Sequence, residues 1–419
     1  MKPSMWIVCC AMASALFLIL PACSDNETET ECDDCPPVDD DDNNDDDDDA
    51  TPAPIIGPPT RVVPSSGLPP DLALQDANNN LDVTRHDDRV FLAFRTAPSH
   101  FAAETAEIHV VSSLDQVHWD HEMSFHLGRD LREPRLLSWD GGLFLYFAFL
   151  GTNPINFEPG GMMVAEYLGP GDWTEPAEFY GQGFIPWRTK TIDGVPYMLT
   201  YVGGESVYSI DPEPIDVHFL TTADGYTWVP VVPGQPVVIE GGCTETDVVF
   251  LDNGDLVAVS RCEARDTLGF GMRICRAPAE DLGRWECVMD PKKYDSPLLF
   301  REGDDIYLIG RRNLTADGNY NLGYDTLPDL LQYLIYELDY WIAPKRTSLW
   351  RVNPETLTVS FVDDFPSRGD TSFAGIIGEG EHAYEVYNYT SPLQEPDYVW
   401  LMGQLGKTVI VRVTLTFPQ

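Results

Sequence analysis

One short unit recurs through most of this chain: an apolar strand, a tight turn built from Asp, Asn, Glu and Gly, and a second apolar strand. Leu81–Phe94 breaks at Asp87-Asp88, Pro134–Phe147 at Asp140-Gly141-Gly142, and Pro186–Tyr201 at Asp193-Gly194. Val248–Val259 breaks at Asn253-Gly254, Leu298–Ile309 at Glu302-Gly303-Asp304, and Ser372–Tyr387 at Gly378-Glu379-Gly380. Asn-Gly and Asp-Gly pairs adopt the left-handed conformations that hairpin turns require, so each unit reads as a β-hairpin. Regular hairpins with almost no helical period exclude α/β folds and favour radial repetition over a two-sheet sandwich. The expected fold is all-β, a six-bladed β-propeller, with five blades as the alternative count. The units average roughly 57 residues, above the 40 to 50 usual for a blade, and the fifth interval is the longest. It contains Leu327–Ile342, where apolar residues recur with helical period, and is read as a helix inserted in the fifth blade.

The N-terminal segment is of a different kind. Met1-Lys2 precedes an apolar run from Met5 to Leu20, which ends in Leu20-Pro21-Ala22-Cys23. This ending resembles a bacterial lipobox, which implies a signal peptide over residues 1–22 and lipidation of Cys23. Ser24 after the Cys resembles the outer-membrane sorting class of Gram-negative lipoproteins. Residues 23–72 hold the acidic run Asp39–Asp49 and a Pro-rich stretch, and are expected to be a disordered tether below a propeller domain at 73–419. The formal net charge of -42 repels polyanions, so nucleic acid is excluded as a partner, and the membrane is reached through the lipid anchor only. Cys32 and Cys35 sit in the tether without a fold around them. Cys275 and Cys287 face each other across the turn at Glu280-Asp281-Leu282, which predicts a cross-strand disulfide, with Cys243–Cys262 as a second bridge. The absence of a nearby His argues against zinc.

Thr222-Ala223-Asp224-Gly225-Tyr226-Thr227-Trp228 resembles the Asp-box of sialidase-type propellers, and Ser113-Leu114-Asp115-Gln116-Val117-His118-Trp119 is a copy without the Gly. The Asp-box is a structural turn, so the resemblance implies architecture and leaves the chemistry to the residues.

Inner strands of a propeller begin around one axial channel, and here those positions carry Asp82, Glu133, Glu245, Asp247, Asp295 and Asp370. Clustered carboxylates suit glycoside hydrolysis, in which one must be a protonated acid and another a base or nucleophile. Asp82, Glu133, Glu245 and Asp247 are therefore the candidate catalytic groups. The structural alternative has these acids binding backbone N–H groups or a cation in the channel. Arg outnumbers Lys 20 to 6, which favours bidentate carboxylate recognition. Arg95, Arg132, Arg135, Arg261 and Arg311, with Trp187 and Asp370, are the candidate substrate-binding residues, and several Arg from different blades resemble the sialidase arginine triad. The Arg-Ile-Pro type motif of that family is replaced by Leu81-Asp82-Val83-Thr84-Arg85, and Tyr320 and Tyr324 are the nearest candidates for its Tyr nucleophile. His100 reads as a structural loop residue. The expected function is a monomeric, surface-tethered glycoside hydrolase acting on a carbohydrate or glycoconjugate without a cofactor. The alternative is a non-catalytic carbohydrate-binding or adhesion propeller.

Overall fold

Each apolar hairpin forms the inner half of an antiparallel sheet. The computed structural model describes residues 53–154, 156–203, 214–262 and 266–418, so the expected signal sequence and Cys23 lie outside the described residues. Two short strands lead, β1 (Ile55–Ile56) and β2 (Thr60–Val63). Blade one comprises β3 (Ala77–His86), β4 (Arg89–Ala97), β5 (Glu107–Ser113) and β6 (Asp120–Phe125). In blade two, β7 (Leu131–Trp139), β8 (Gly142–Leu150) and β9 (Pro159–Gly169) are followed by β10 (Asp172–Trp173) and β11 (Ala177–Gln182), both paired with β9. Blade three repeats this with β12 (Phe184–Ile192), β13 (Val195–Val202) and β14 (Ile215–Thr222), on which β15 (Trp228–Pro230) and β16 (Val237–Gly241) both pair. Blade four is β17 (Cys243–Phe250), β18 (Leu256–Cys262), β19 (Met272–Ala277) and β20 (Glu286–Asp290). Blade five is β21 (Asp295–Glu302), β22 (Asp305–Asn313), β23 (Lys345–Asn353) and β24 (Thr358–Asp364). The expected helix, α1 (Asp329–Ile342), lies between β22 and β23. Blade six is β25 (Thr371–Gly378), β26 (Ala383–Thr390) and β27 (Val409–Thr416), with a second helix, α2 (Trp400–Leu405), before β27.

The inner strands β3, β7, β12, β17, β21 and β25 pack in cyclic order, and β25 returns to β3. The molecule is a six-bladed β-propeller. Gly375 allows the last approach, because a Cβ there would lie 2.7 Å from Val83 Cγ1. Strands such as β8, Gly-Leu-Phe-Leu-Tyr-Phe-Ala-Phe-Leu, are apolar on both faces because neighbouring blades cover both.

The ring is closed by chain that the sequence reading assigned to the tether. β1 and β2 pair with β27, completing the outer edge of blade six, and Val62, Val63 and Leu68 are buried. The folded domain therefore begins well before residue 73. Ile55-Ile56 and Arg61-Val62-Val63 are too short to read as strands alone. They fold because β27 offers them a ready edge and an apolar floor.

The turns at 113–119 and 222–228 share one hydrogen-bond pattern. Asp224 Oδ1 accepts the N–H groups of Tyr226 (2.8 Å) and Thr227 (2.6 Å), as Asp115 Oδ1 accepts those of Val117 (2.9 Å) and His118 (2.8 Å). Where the first copy lacks Gly, Gln116 takes the positive φ of 59° itself. Trp119 and Trp228 then bury between sheets. Both expected disulfides are present, Cys243–Cys262 and Cys275–Cys287, each between directly paired residues.

Ring closure carries a stability prediction. Truncation to residue 73 strips β27 of its partners and exposes the apolar floor under Val62 and Val63. Burial of two Val side chains stabilises by about 3 kcal/mol or more, so this fragment should melt well below one beginning at residue 53. Equal melting temperatures for the two fragments would contradict the closure.

Candidate functional site

All six inner strands shift register near their starts, at Asn79/Leu81, Arg132/Arg135, Pro186/Arg188, Cys243/Thr246, Asp295/Leu298 and Ser372/Gly375. A bulge adds an unpaired residue and re-aims its side chain. Asn80, Glu133, Ser296 and Phe373 hold positive φ within these bulges, at 41°, 55°, 59° and 55°. Non-glycine residues pay for such backbone only where the surroundings impose it. The ring of bulges brings Glu133, Glu245 and Phe373 into one pocket at the mouth of the axis.

That pocket has a volume of about 110 Å³ and draws on every blade. Arg132, Glu133, Glu245, Arg261 and Arg311 supply charge, and Phe101, Phe157, Tyr201, Trp341 and Trp400 supply aromatic wall. Glu337 and Trp341 come from α1, and Trp400 and Gln404 from α2, so both insertions wall the site.

The two glutamates differ. Burial pushes the Glu133 carboxyl up to about 7, against the pull of Arg135, and the negative charge of Glu245 adds to the rise. Asn80 Nδ2 donates to Glu133 Oε1 (2.9 Å), and Arg135 lies 3.3 Å from Oε2. Glu245 is engaged on both oxygens: Arg261 donates to Oε1 (2.7 Å), and the Ser296 N–H to Oε2 (2.7 Å). The Cys243–Cys262 disulfide joins the strand ends that carry Glu245 and Arg261.

Asp295 organises the arginines beneath. It lies 3.1 Å from Arg261 Nε and 3.4 Å from Arg311 Nη1, and accepts the Tyr340 hydroxyl (2.7 Å). Burial alone would raise its pKa, but Arg261, Lys293 and Arg311 outweigh burial and hold it at about 2. Arg311 also donates to Thr371 O (2.8 Å) and sits 4.6 Å over the Trp400 ring.

Several of the expected site residues lie outside this pocket. Asp82 and Asp247 do not line this pocket. Asp82 accepts the Leu136 N–H (2.8 Å), and burial raises its pKa despite Arg135 and Arg188. Asp247 accepts the Leu299 N–H (2.7 Å) and pairs with Lys190 (2.8 Å) and Arg188 (3.5 Å). Both carboxylates pin the next blade's backbone, which is the structural alternative, and the bulge separates Asp247 from Glu245. Arg95 is buried, bound to Asp130 (2.6 Å) and to the carbonyls of Ser99 (3.1 Å) and Phe101 (2.9 Å). Arg135 and Trp187 are buried below the pocket, the guanidinium 4.5 Å over the indole. Asp370 is buried behind His100, whose Nδ1 lies 2.7 Å from its Oδ2. Of the expected binding residues, Arg132, Arg261 and Arg311 reach the pocket. Tyr320 donates to Glu337 (2.6 Å) and is buried, and Tyr324 is exposed, so neither lines it.

Asp130 and Glu337 are not singled out by the sequence, and His100, expected as a structural loop residue, lines the pocket. Glu337 did leave a signal, an acid on the otherwise aromatic face Tyr333, Tyr336, Tyr340 and Trp341 of α1. It accepts from Lys293 (3.1 Å), Tyr320 and the Trp341 indole (2.9 Å).

No family model and no curated protein matches the chain. Solved structures do. A protein of unknown function from Dyadobacter fermentans matches with TM-score 0.56 at 14% identity, covering 88% of this chain and 99% of that one. Trypanosoma rangeli sialidase bound to the inhibitor DANA matches with TM-score 0.56 at 10% identity, covering 85% of this chain and 60% of the sialidase. An endosialidase of phage phi92 matches with TM-score 0.54 at 11% identity, covering 87% and 69%. This chain thus spans about 60% of the trypanosomal enzyme's length, and the likeness is one of fold.

Asp295 gives a test of the charge network. Its folded pKa lies below the unfolded value of 3.8, so its contribution is present above pH 4 and is lost as pH falls towards 2. Asp295→Asn leaves two buried arginines short of a counter-charge and should destabilise by about 3–5 kcal/mol at pH 7. That gap should narrow in acid. A gap independent of pH between 7 and 2, measured by denaturant unfolding, would contradict the assignment.

Proposed function

We propose that this protein hydrolyses a glycosidic bond in the axial pocket, with Glu133 as proton donor and Glu245 as the fixed negative charge facing the oxocarbenium-like centre. The observation that carries this is Glu133, a pocket carboxyl pushed up to about 7 beside Glu245, which is salt-bridged to Arg261. A protonated acid and a carboxylate in one site is the chemical requirement of glycoside hydrolysis. Phe101, Tyr201, Trp341 and Trp400 form an aromatic wall against which a sugar ring can pack. Arg132, Arg261 and Arg311 offer the local positive charge that an acidic sugar needs in so acidic a protein. The Asp-box-like turns and the propeller fold are compatible with this reading but bear on architecture alone. Sialic acid is bound by T. rangeli sialidase in one of the matching structures.

A second reading, carbohydrate binding without hydrolysis, is favoured by one observation: Arg261 and Arg311 are already engaged by Glu245 and Asp295. A panel of chromogenic glycosides and glycans separates the two readings. Hydrolysis predicts turnover that Glu133→Gln lowers by roughly 10²- to 10⁴-fold, with binding retained because the change removes proton transfer. Binding without turnover by the native protein would select the second reading.

The lipobox-like ending at Cys23 supports a cell-envelope location for this activity. Cys23 carries the lipid, and the acidic segment holds the propeller off the outer membrane. Cys23→Ser should move the protein from the membrane to the soluble fraction; unchanged fractionation would contradict the anchor.

A further inference from the structure

Within the hydrolase reading, on which this inference rests, the group that activates water is unassigned. Glu245 is a poor choice, because Arg261 and the Ser296 N–H occupy one oxygen each and hold its charge in place. His100 lies in the same pocket, in the β4–β5 loop. Its Nδ1 is 2.7 Å from Asp370 Oδ2, and Nε2 has no hydrogen-bond partner among the described residues. Asp370 is fully buried and anchored independently of His100. The Tyr389 hydroxyl (3.1 Å) and the Trp400 indole N–H (3.1 Å) donate to its Oδ1, and Ser391 Oγ is 3.1 Å from its backbone nitrogen. Burial would raise the Asp370 pKa, but His100 and Arg311 overcome it and keep the group below the usual carboxylate value. An anchored carboxylate on Nδ1 favours the tautomer with its proton there, leaving Nε2 as an acceptor.

The loop itself is clamped. Arg95 donates to the carbonyls on either side of His100, those of Ser99 and Phe101, while Arg132 donates to the His100 carbonyl (3.2 Å). Asp130 holds both arginines. The His100 N–H donates to Gln404 O in α2 (3.0 Å). A surface loop needs no such buried cluster to stay folded, and pre-organisation of a reacting group does need one.

We infer that His100 is the general base of the reaction, with Asp370 as its positioning residue. Water's oxygen bonds the anomeric carbon as its proton passes to Nε2. The anomeric C–O bond breaks with its electron pair on the leaving oxygen, which takes the proton of Glu133. The imidazolium is held against Asp370, and its proton returns through solvent to the Glu133 carboxylate.

The test uses the best-hydrolysed member of the glycoside panel. His100→Ala should lower kcat by roughly 10²- to 10⁴-fold with little change in KM, and added imidazole should restore part of kcat. His100→Gln, which keeps a polar group beside Asp370, should lose kcat as well while melting like the native protein. Asp370→Asn should lower kcat and move the ¹⁵N signals of His100 away from the Nδ1–H tautomer, a readout that a merely structural Asp would leave unmoved. If both His100 variants keep kcat, or lose it with no imidazole rescue, His100 is not the base and the hydrolase reading stands without it. If the native protein turns over no glycoside, the hydrolase reading fails and takes this inference with it.

Discussion

The blades are separate sheets, and among the described residues the backbone joins blade one to blade six at the Ala77–Thr408 bridge, so side chains carry much of the rest near the axis. These side chains reach from one inner strand to the backbone of a neighbour. Asp82 takes the Leu136 N–H, Glu245 the Ser296 N–H and Asp247 the Leu299 N–H. Arg135 donates to Leu81 O, Arg311 to Thr371 O and Ser372 to Asp295 O. These bonds form in a dry interior, where a hydrogen-bonded charge is strong and an unpaired one is costly.

The rest of the site follows from that constraint. Each buried carboxylate needs a counter-charge, which accounts for Arg135, Arg188, Arg261 and Arg311 around the axis and for Lys190 beside Asp247. A fixed guanidinium fork suits this task better than a mobile ammonium, in keeping with 20 Arg against 6 Lys. The balance is uneven. At Asp295 the charges of Arg261, Lys293 and Arg311 outweigh burial and the group stays strongly acidic, whereas at Glu133 burial and the charge of Glu245 outweigh Arg135, Arg132 and Arg261 and drive it towards neutrality. The pinned carboxylate and the raised one therefore belong to the same network seen at two positions.

Much of the fold was legible because its signals are local. The turn at Asp193-Gly194, with φ of 51° and 78°, is written in two adjacent residues. The helix at 329–342 shows in its period, and Cys275 and Cys287 in their symmetry about a turn. The closing strands β1 and β2 were not legible, since their stability comes from β27, more than 340 residues away. Within the site, Glu133 and Glu245 were found by counting to the starts of inner strands. Their separation from Asp82 and Asp247 was not, because six bulges break the alternation of two on which face assignments rest. Arg95 reads as a ligand-binding residue because it closes the second strand of its blade, while its partner Asp130 lies one position before β7 and left no pattern. His100 reads from the sequence as a structural loop residue, because its contact with Asp370 is made from blade six and leaves no local pattern.

The central claim is that one pocket glutamate is neutral near pH 7 while its neighbour is held as an ion pair. It is tested most directly by following the side-chain carboxyl of Glu133 by ¹³C NMR from pH 3 to pH 9, with Glu133→Gln to assign the signal. The account predicts a midpoint near 7 that falls when Glu245 is replaced by Gln, since the Glu245 charge contributes to the rise. A midpoint near 4.5, the ordinary value for a glutamate, would contradict it.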